Sequence, residues 1–138
     1  MAVNSAGLQI VSDGGIPQTI TGYAAEVISG GEFVNASGAD SVSSGANSFI
    51  TSDIVFNNGA SGLLCNGIAA HNVASGAKLT VYTKGIFISR ASATVTAGQE
   101  VMVDGAEAVE ASSTAAVGIG RAINGGTSGN YALIKLDL

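Results

Sequence analysis

An all-β fold is what this sequence predicts: a compact small β-barrel or sandwich built from two diverged β modules, with an extended N-terminal arm in front of them. Three observations lead there. Gly supplies 20 of the 138 residues and charged side chains only 11%, a mix that suits short strands and tight turns. It suits long helices poorly, since Gly costs about 1 kcal/mol against Ala in a helix interior. Several runs alternate apolar and polar residues at period two, the spacing of a strand with one buried face. The chain also repeats itself. Setting "VISGGEFV" from Val27 against "VTAGQEVM" from Val95, an offset of 68, matches Gly30 with Gly98, Glu32 with Glu100 and Phe33 with Val101. Setting "GIAAHNVASGAKLTVYT" from Gly67 against "GRAINGGTSGNYALIKL" from Gly120, an offset of 53, matches Ala69 with Ala122, Ser75 with Ser128, Gly76 with Gly129 and Val81 with Ile134. The offsets differ by 15, which implies an insertion in the first copy within "SVSSGANSFITSDIVFNNG". Self-similarity of this kind marks a tandem module, here at about 24–84 and 92–138, inside one β-rich domain spanning 24–138.

The elements follow in chain order. Residues 1–23 lie outside the repeat and hold the only proline, in "DGGIPQTITGY". Gly14-Gly15 and Ile16-Pro17 disfavour a helix, so the segment reads as an extended arm or as a first strand of the core. "GEFVNAS" is a short apolar run that stops at turn-forming residues. In "AKLTVYT", Leu79 and Val81 alternate with Lys78, Thr80 and Tyr82. "GIFISRASATVTAG" continues as a β-branched run with Ile86 and Ile88 on one face and Phe87 on the other. "QEVMVDG" repeats the first short strand. "DGAEAVEASSTAAVG" has the composition of a short Ala/Glu helix, but its counterpart "SGADSVSSGA" is a poor helix former, which favours a turn or a single helical turn. "YALIKLDL" closes the chain with the same alternation, and a Ser-Gly turn signal precedes each of the two terminal strands.

The chemical inventory is thin. The net charge is −5, and no Lys or Arg precedes Lys78. Nucleic-acid binding requires a basic patch, so it is not expected, and neither is attachment to an anionic membrane. The N-terminus lacks the charged and apolar regions of a secretion signal, and no apolar run approaches the roughly 18 residues of a membrane-spanning helix. The single cysteine, Cys65, sits in apolar "SGLLCNGIA" and reads as a reduced core thiol of a chain made and folded in a reducing cytoplasm. His71 is the only histidine and has no partner at metal-ligand or catalytic spacing. Glu107 and Glu110 read as solvated charges. "GIGRAINGG" lacks the third glycine of a dinucleotide fingerprint, with Ile123 in its place, and no Gly-Lys-Ser/Thr follows. No serine has a base beside it in a recognisable motif. No enzyme activity, cofactor or metal is expected.

The strand entry "VTAGQEVMVDGAEAVEAS" followed by "AVGIGRAINGGTSGNYALIKLDL" resembles the capsid decoration, or cement, proteins of tailed bacteriophages, in a Gly/Ala/Val-rich double-module group. The resemblance spans about 24–138. It implies a homotrimer on the outer surface of the icosahedral shell in the virion, bound at three-fold or quasi-three-fold positions after expansion. There it would brace neighbouring subunits of the major capsid protein. A mean hydropathy of +0.43 suits a chain whose apolar faces are covered by further copies, and clustered copies multiply modest contacts into avidity. The arm would add a strand to a sheet edge of the capsid, which makes Leu8, Ile10, Val11, Ile16 and Pro17 the expected partner-binding residues. The competing classes are another virion structural module and a host-glycan-binding β module. The latter would want aromatic platforms, and the chain has no Trp and only Tyr23, Tyr82 and Tyr131, scattered.

Overall fold

The computed structural model describes residues 10–12, 18–36, 54–60, 64–112 and 118–138. Among these residues every regular element is a strand. They are β1 (Ile10–Ser12), β2 (Thr19–Ala24), β3 (Phe33–Ala36), β4 (Val55–Asn58), β5 (Gly67–Ala69), β6 (Lys78–Tyr82), β7 (Lys84–Ala91), β8 (Glu100–Val103), β9 (Ala108–Ala111), β10 (Gly120–Asn124) and β11 (Tyr131–Asp137).

The strands form two small barrels in tandem. The first closes in the order β2-β4-β3-β5-β6, and the second runs β7-β11-β10-β8-β9 and closes through β7 and β9. Each has one parallel pair at the same place. Tyr23 lies opposite Val55 in the first barrel, and Arg90 lies opposite Ala108 in the second. The hydrogen bonds repeat with it. The Ala25 N–H donates to the Phe56 carbonyl at 2.8 Å, and the Ser92 N–H to the Val109 carbonyl at 2.9 Å. β1 is the addition that breaks the equivalence: it lies antiparallel on β7, with Ile10 opposite Phe87.

Period-two alternation supplies both cores. In β6 Leu79 and Val81 face inwards, as Ala132, Ile134 and Leu136 do in β11. Each fully buried Val, Leu, Ile or Phe is worth about 1.5–3 kcal/mol, and such residues make up most of both cores, with Ala filling much of the rest. The Ser-Gly turns fold as turns. Gly76 and Gly129 hold left-handed φ of 82° and 84°, which side chains beyond Cα rarely adopt. The serine before each glycine ties the turn down, Ser75 Oγ donating to the Ala25 carbonyl at 3.0 Å and Ser128 Oγ to the Ser92 carbonyl at 2.8 Å.

Two sequence expectations need correction, and one open alternative is decided. Around the first strand of each module the structural offset is 67, one less than residue similarity implies. Ile28 exchanges backbone bonds with Val73 as Val95 does with Gly126. The Ser29 N–H donates to Glu32 Oε2 at 2.7 Å as the Thr96 N–H does to Gln99 Oε1 at 3.0 Å. Glu32 is therefore the counterpart of Gln99, not of Glu100, and Gly31 rather than Gly30 matches Gly98. The extra residues of the first copy lie in the β3–β4 connection, which runs over 37–54 against 104–107 in the second copy. Secondly, the Ala/Glu segment is not a turn alone: residues 104–107 make the bend after β8, but Ala108–Ala111 is a strand, β9, paired with β8 and β7. Its counterpart "SGADSVSSGA" lies outside the described residues. Of residues 1–23, read from sequence as an extended arm or a first strand of the core, residues 19–23 follow the second reading: they belong to β2 and pair with β6 from Thr19 to Tyr23.

A single residue, Thr83, joins the barrels. Its N–H donates to the Gln18 carbonyl at 2.8 Å, its Oγ1 donates to the same oxygen at 3.1 Å, and its own carbonyl accepts from the Leu138 N–H at 3.1 Å.

Candidate functional site

A surface rather than a pocket is where the two modules differ most. In the first barrel Val34, Ala69, Leu79 and Val81 point into the core, so their strand neighbours Phe33, Ile68 and Tyr82 point outwards. These three sit in register across β3, β5 and β6. Outward-facing apolar residues of this size would normally be wet, yet Phe33 is 1% exposed and Ile68 2%. The second barrel covers them. Phe33, Cys65 and Ile68 share one core cluster with Phe87, Val101, Ile119 and Leu136, and Tyr82 packs against it. The Tyr82 and Phe87 rings meet at 5.8 Å with their planes at 50°, a favourable tilted geometry. The Phe33 N–H donates to the Ala106 carbonyl across the seam at 2.7 Å.

The counterpart row on the second barrel is Glu100, Arg121 and Lys135, in register across β8, β10 and β11. Arg121 and Lys135 are exposed and Glu100 is partly buried. Together with Gly118, Gly120 and Asp137 they line a recess. Gly118 stands where the first barrel has Cys65. Asp137 pairs with Lys84 at 3.5 Å. Gly120 and its counterpart Gly67 permit a close approach of paired strands beside these rows: a Cβ there would collide with the carbonyl oxygen of Lys135 or Tyr82.

Electrostatics add a negative edge to the seam. Burial pushes the Glu32 carboxyl above its ordinary value, the Ser29 N–H holds it back, and the carboxylates of Glu107 and Glu26 add to the rise. Cys65 is buried and its thiol is pushed up to about 11, chiefly by burial, while it donates to the Gly67 carbonyl at 3.3 Å. That is the behaviour of a packing thiol. His71 is exposed, with Nδ1 3.3 Å from the Asn72 carbonyl and Nε2 accepting from the Thr80 N–H at 3.4 Å. Glu107 is exposed and Glu110 partly so. Among the described residues no three His, Cys, Asp or Glu side chains gather in a way that could hold a metal, and no helix is long and apolar enough to cross a membrane.

Of the residues expected to meet a partner, Ile10 and Val11 lie in β1. Leu8, Ile16 and Pro17 lie outside the described residues. The charged row escaped sequence reasoning, although the signal was present at offset 53: Ile68 aligns with Arg121 and Tyr82 with Lys135. Matching pairs reveal the scaffold. Pairs that change from apolar to charged reveal where the modules face different surroundings.

A family model described as phage cement protein matches residues 11–136. No curated protein sequence matches the chain. Among solved structures, the head fiber gp8.5 N base of bacteriophage phi29 is similar, with a TM-score of 0.63 at 12% identity. The match covers 88% of this chain and 95% of that one, and at that identity it speaks for the fold.

Proposed function

This chain belongs to the phage cement protein family, and from that premise we propose that it lies on the outer surface of the icosahedral head, as a homotrimer, and stabilises the expanded shell by bridging major capsid protein subunits. A capsid-associated structural role is the part the family establishes. The match over residues 11–136 supports that reading for the whole chain, because it spans both barrels rather than one motif. The physical character of the molecule supports the reading. Two barrels pinned through one residue and a shared core form a stiff unit, and a brace works by shape and many matched contacts rather than by one reactive group.

We further propose that the arm takes part in attachment through Leu8, Ile10, Val11, Ile16 and Pro17. β1 ends the strand order of its sheet, so its outer edge is unpaired among the described residues. Unpaired edge groups are a template for an incoming strand. Co-sedimentation of the purified protein with expanded, undecorated heads tests the reading. Saturable binding with a raised disruption temperature of the heads is the expected result. Protein that stays in the supernatant at micromolar concentration would end the cement proposal.

A further inference from the structure

We propose that the Glu100–Arg121–Lys135 row of the second barrel is a self-association surface that receives the first barrel of a second copy, so that the contact between copies repeats the contact between barrels within one chain. This contact presupposes the homotrimer proposed above and assigns residues to it. The first argument is position. The equivalent row of the first barrel, Phe33–Ile68–Tyr82, is already engaged with a barrel, so a barrel-sized partner fits this face of the module. Among the described residues nothing covers the same face of the second module: Arg121 and Lys135 are exposed and the row borders a recess.

The second argument is charge. Arg121 and Lys135 lie directly opposite each other on β10 and β11, a like-charge arrangement that weakens a strand pair by itself. Glu100 flanks Arg121 on the other side, and Asp137 is taken by Lys84. Among the described residues Lys135 therefore has no ion pair, and the row keeps a positive bias. The first module has the opposite bias. Residues 19–82, which span the first barrel, contain four acidic residues (Glu26, Glu32, Asp40 and Asp53) against one cation, Lys78. An acidic barrel meeting a basic row satisfies both. The chemistry of the two rows also fits their partners: the apolar row makes a permanent contact within one chain, whereas the charged row suits subunits that fold before they meet. Because the two surfaces differ, the contact is head-to-tail and generates a closed ring when its rotation closes.

The test uses the full-length protein with Arg121→Glu and Lys135→Glu combined, and light scattering to read the mass. Both side chains are exposed, and circular dichroism and thermal unfolding check that the variant is folded. The native protein is expected at three times the chain mass and the double variant at one. A control reverses two other exposed cations, Lys78→Glu with Arg90→Glu, and keeps the native mass. An unchanged mass in the Arg121/Lys135 variant, or equal dissociation in the control, overturns the proposal. Shell co-sedimentation separates the two readings. A native protein that binds heads but is a monomer in free solution overturns this surface and leaves the cement role standing; one that neither associates nor binds heads overturns both.

Discussion

Glu32 and Gln99 occupy one place in the two modules, and the difference between them is a natural experiment. Both accept the same backbone N–H, but only Glu32 pays a charge penalty, from burial and from Glu107 and Glu26. Its folded-state value is raised, so its contribution to stability is fully present below about pH 4.5 and is lost as the pH rises through the folded value. Glu32→Gln should therefore raise the thermal midpoint at pH 7 and leave it nearly unchanged at pH 4. A lower midpoint at pH 7 would show that the carboxylate helps. Cys65 follows the same sign at higher pH, its stabilising share disappearing between pH 9 and about 11. Two glycine pairs provide a graded comparison. Gly67→Ala or Gly120→Ala meets backbone oxygen at close range, whereas Gly76→Ala or Gly129→Ala meets open space and only an unfavourable φ. Urea unfolding should show about 1–2 kcal/mol lost at the turn positions and clearly more at Gly67 and Gly120. Equal losses would mean that the paired strands move apart to admit the new methyl group.

At the scale of elements, the strands with clean alternation, β6 and β11, were legible, because one buried face leaves its mark at every second residue. β9 was not. Its residues Ala108-Val109-Glu110-Ala111 favour a helix intrinsically, and only pairing with β8 and β7 makes them a strand. The register slip has a similar cause. Similarity matches Glu32 with Glu100, yet a slip of one residue exchanges the faces of a strand: it would equate outward Phe33 with inward Val101. Residue likeness knows nothing of sides. The seam carries its own prediction. Phe33 leaves its own barrel to pack with the core of the other, so Phe33→Ala should cost about 3–5 kcal/mol and uncouple the barrels, giving two calorimetric transitions in place of one. A single transition at a merely lower temperature would mean that the remaining contacts suffice.

For the whole molecule, the all-β class and the doubled module were written in composition and repeat, while the role came from the family pattern and from no reactive group. The charged row was hidden because its meaning lies in a comparison between barrels. The arm now has a sharper test than removal of residues 1–23, which would delete most of β2 and open the first barrel. Deletion of residues 1–12 spares β2, and the expected outcome is a folded protein of native mass with at least tenfold weaker binding to heads, about 1.4 kcal/mol. Undiminished binding would remove the arm from the attachment mechanism.

Thr83 has one more consequence. The residue that joins the barrels also receives the backbone of Leu138, so the chain returns to its own midpoint. Anything fused beyond Leu138 would leave from the waist of the molecule, midway between its two lobes. A displayed cargo would then stand over the junction and load both halves alike, instead of pulling on one of them.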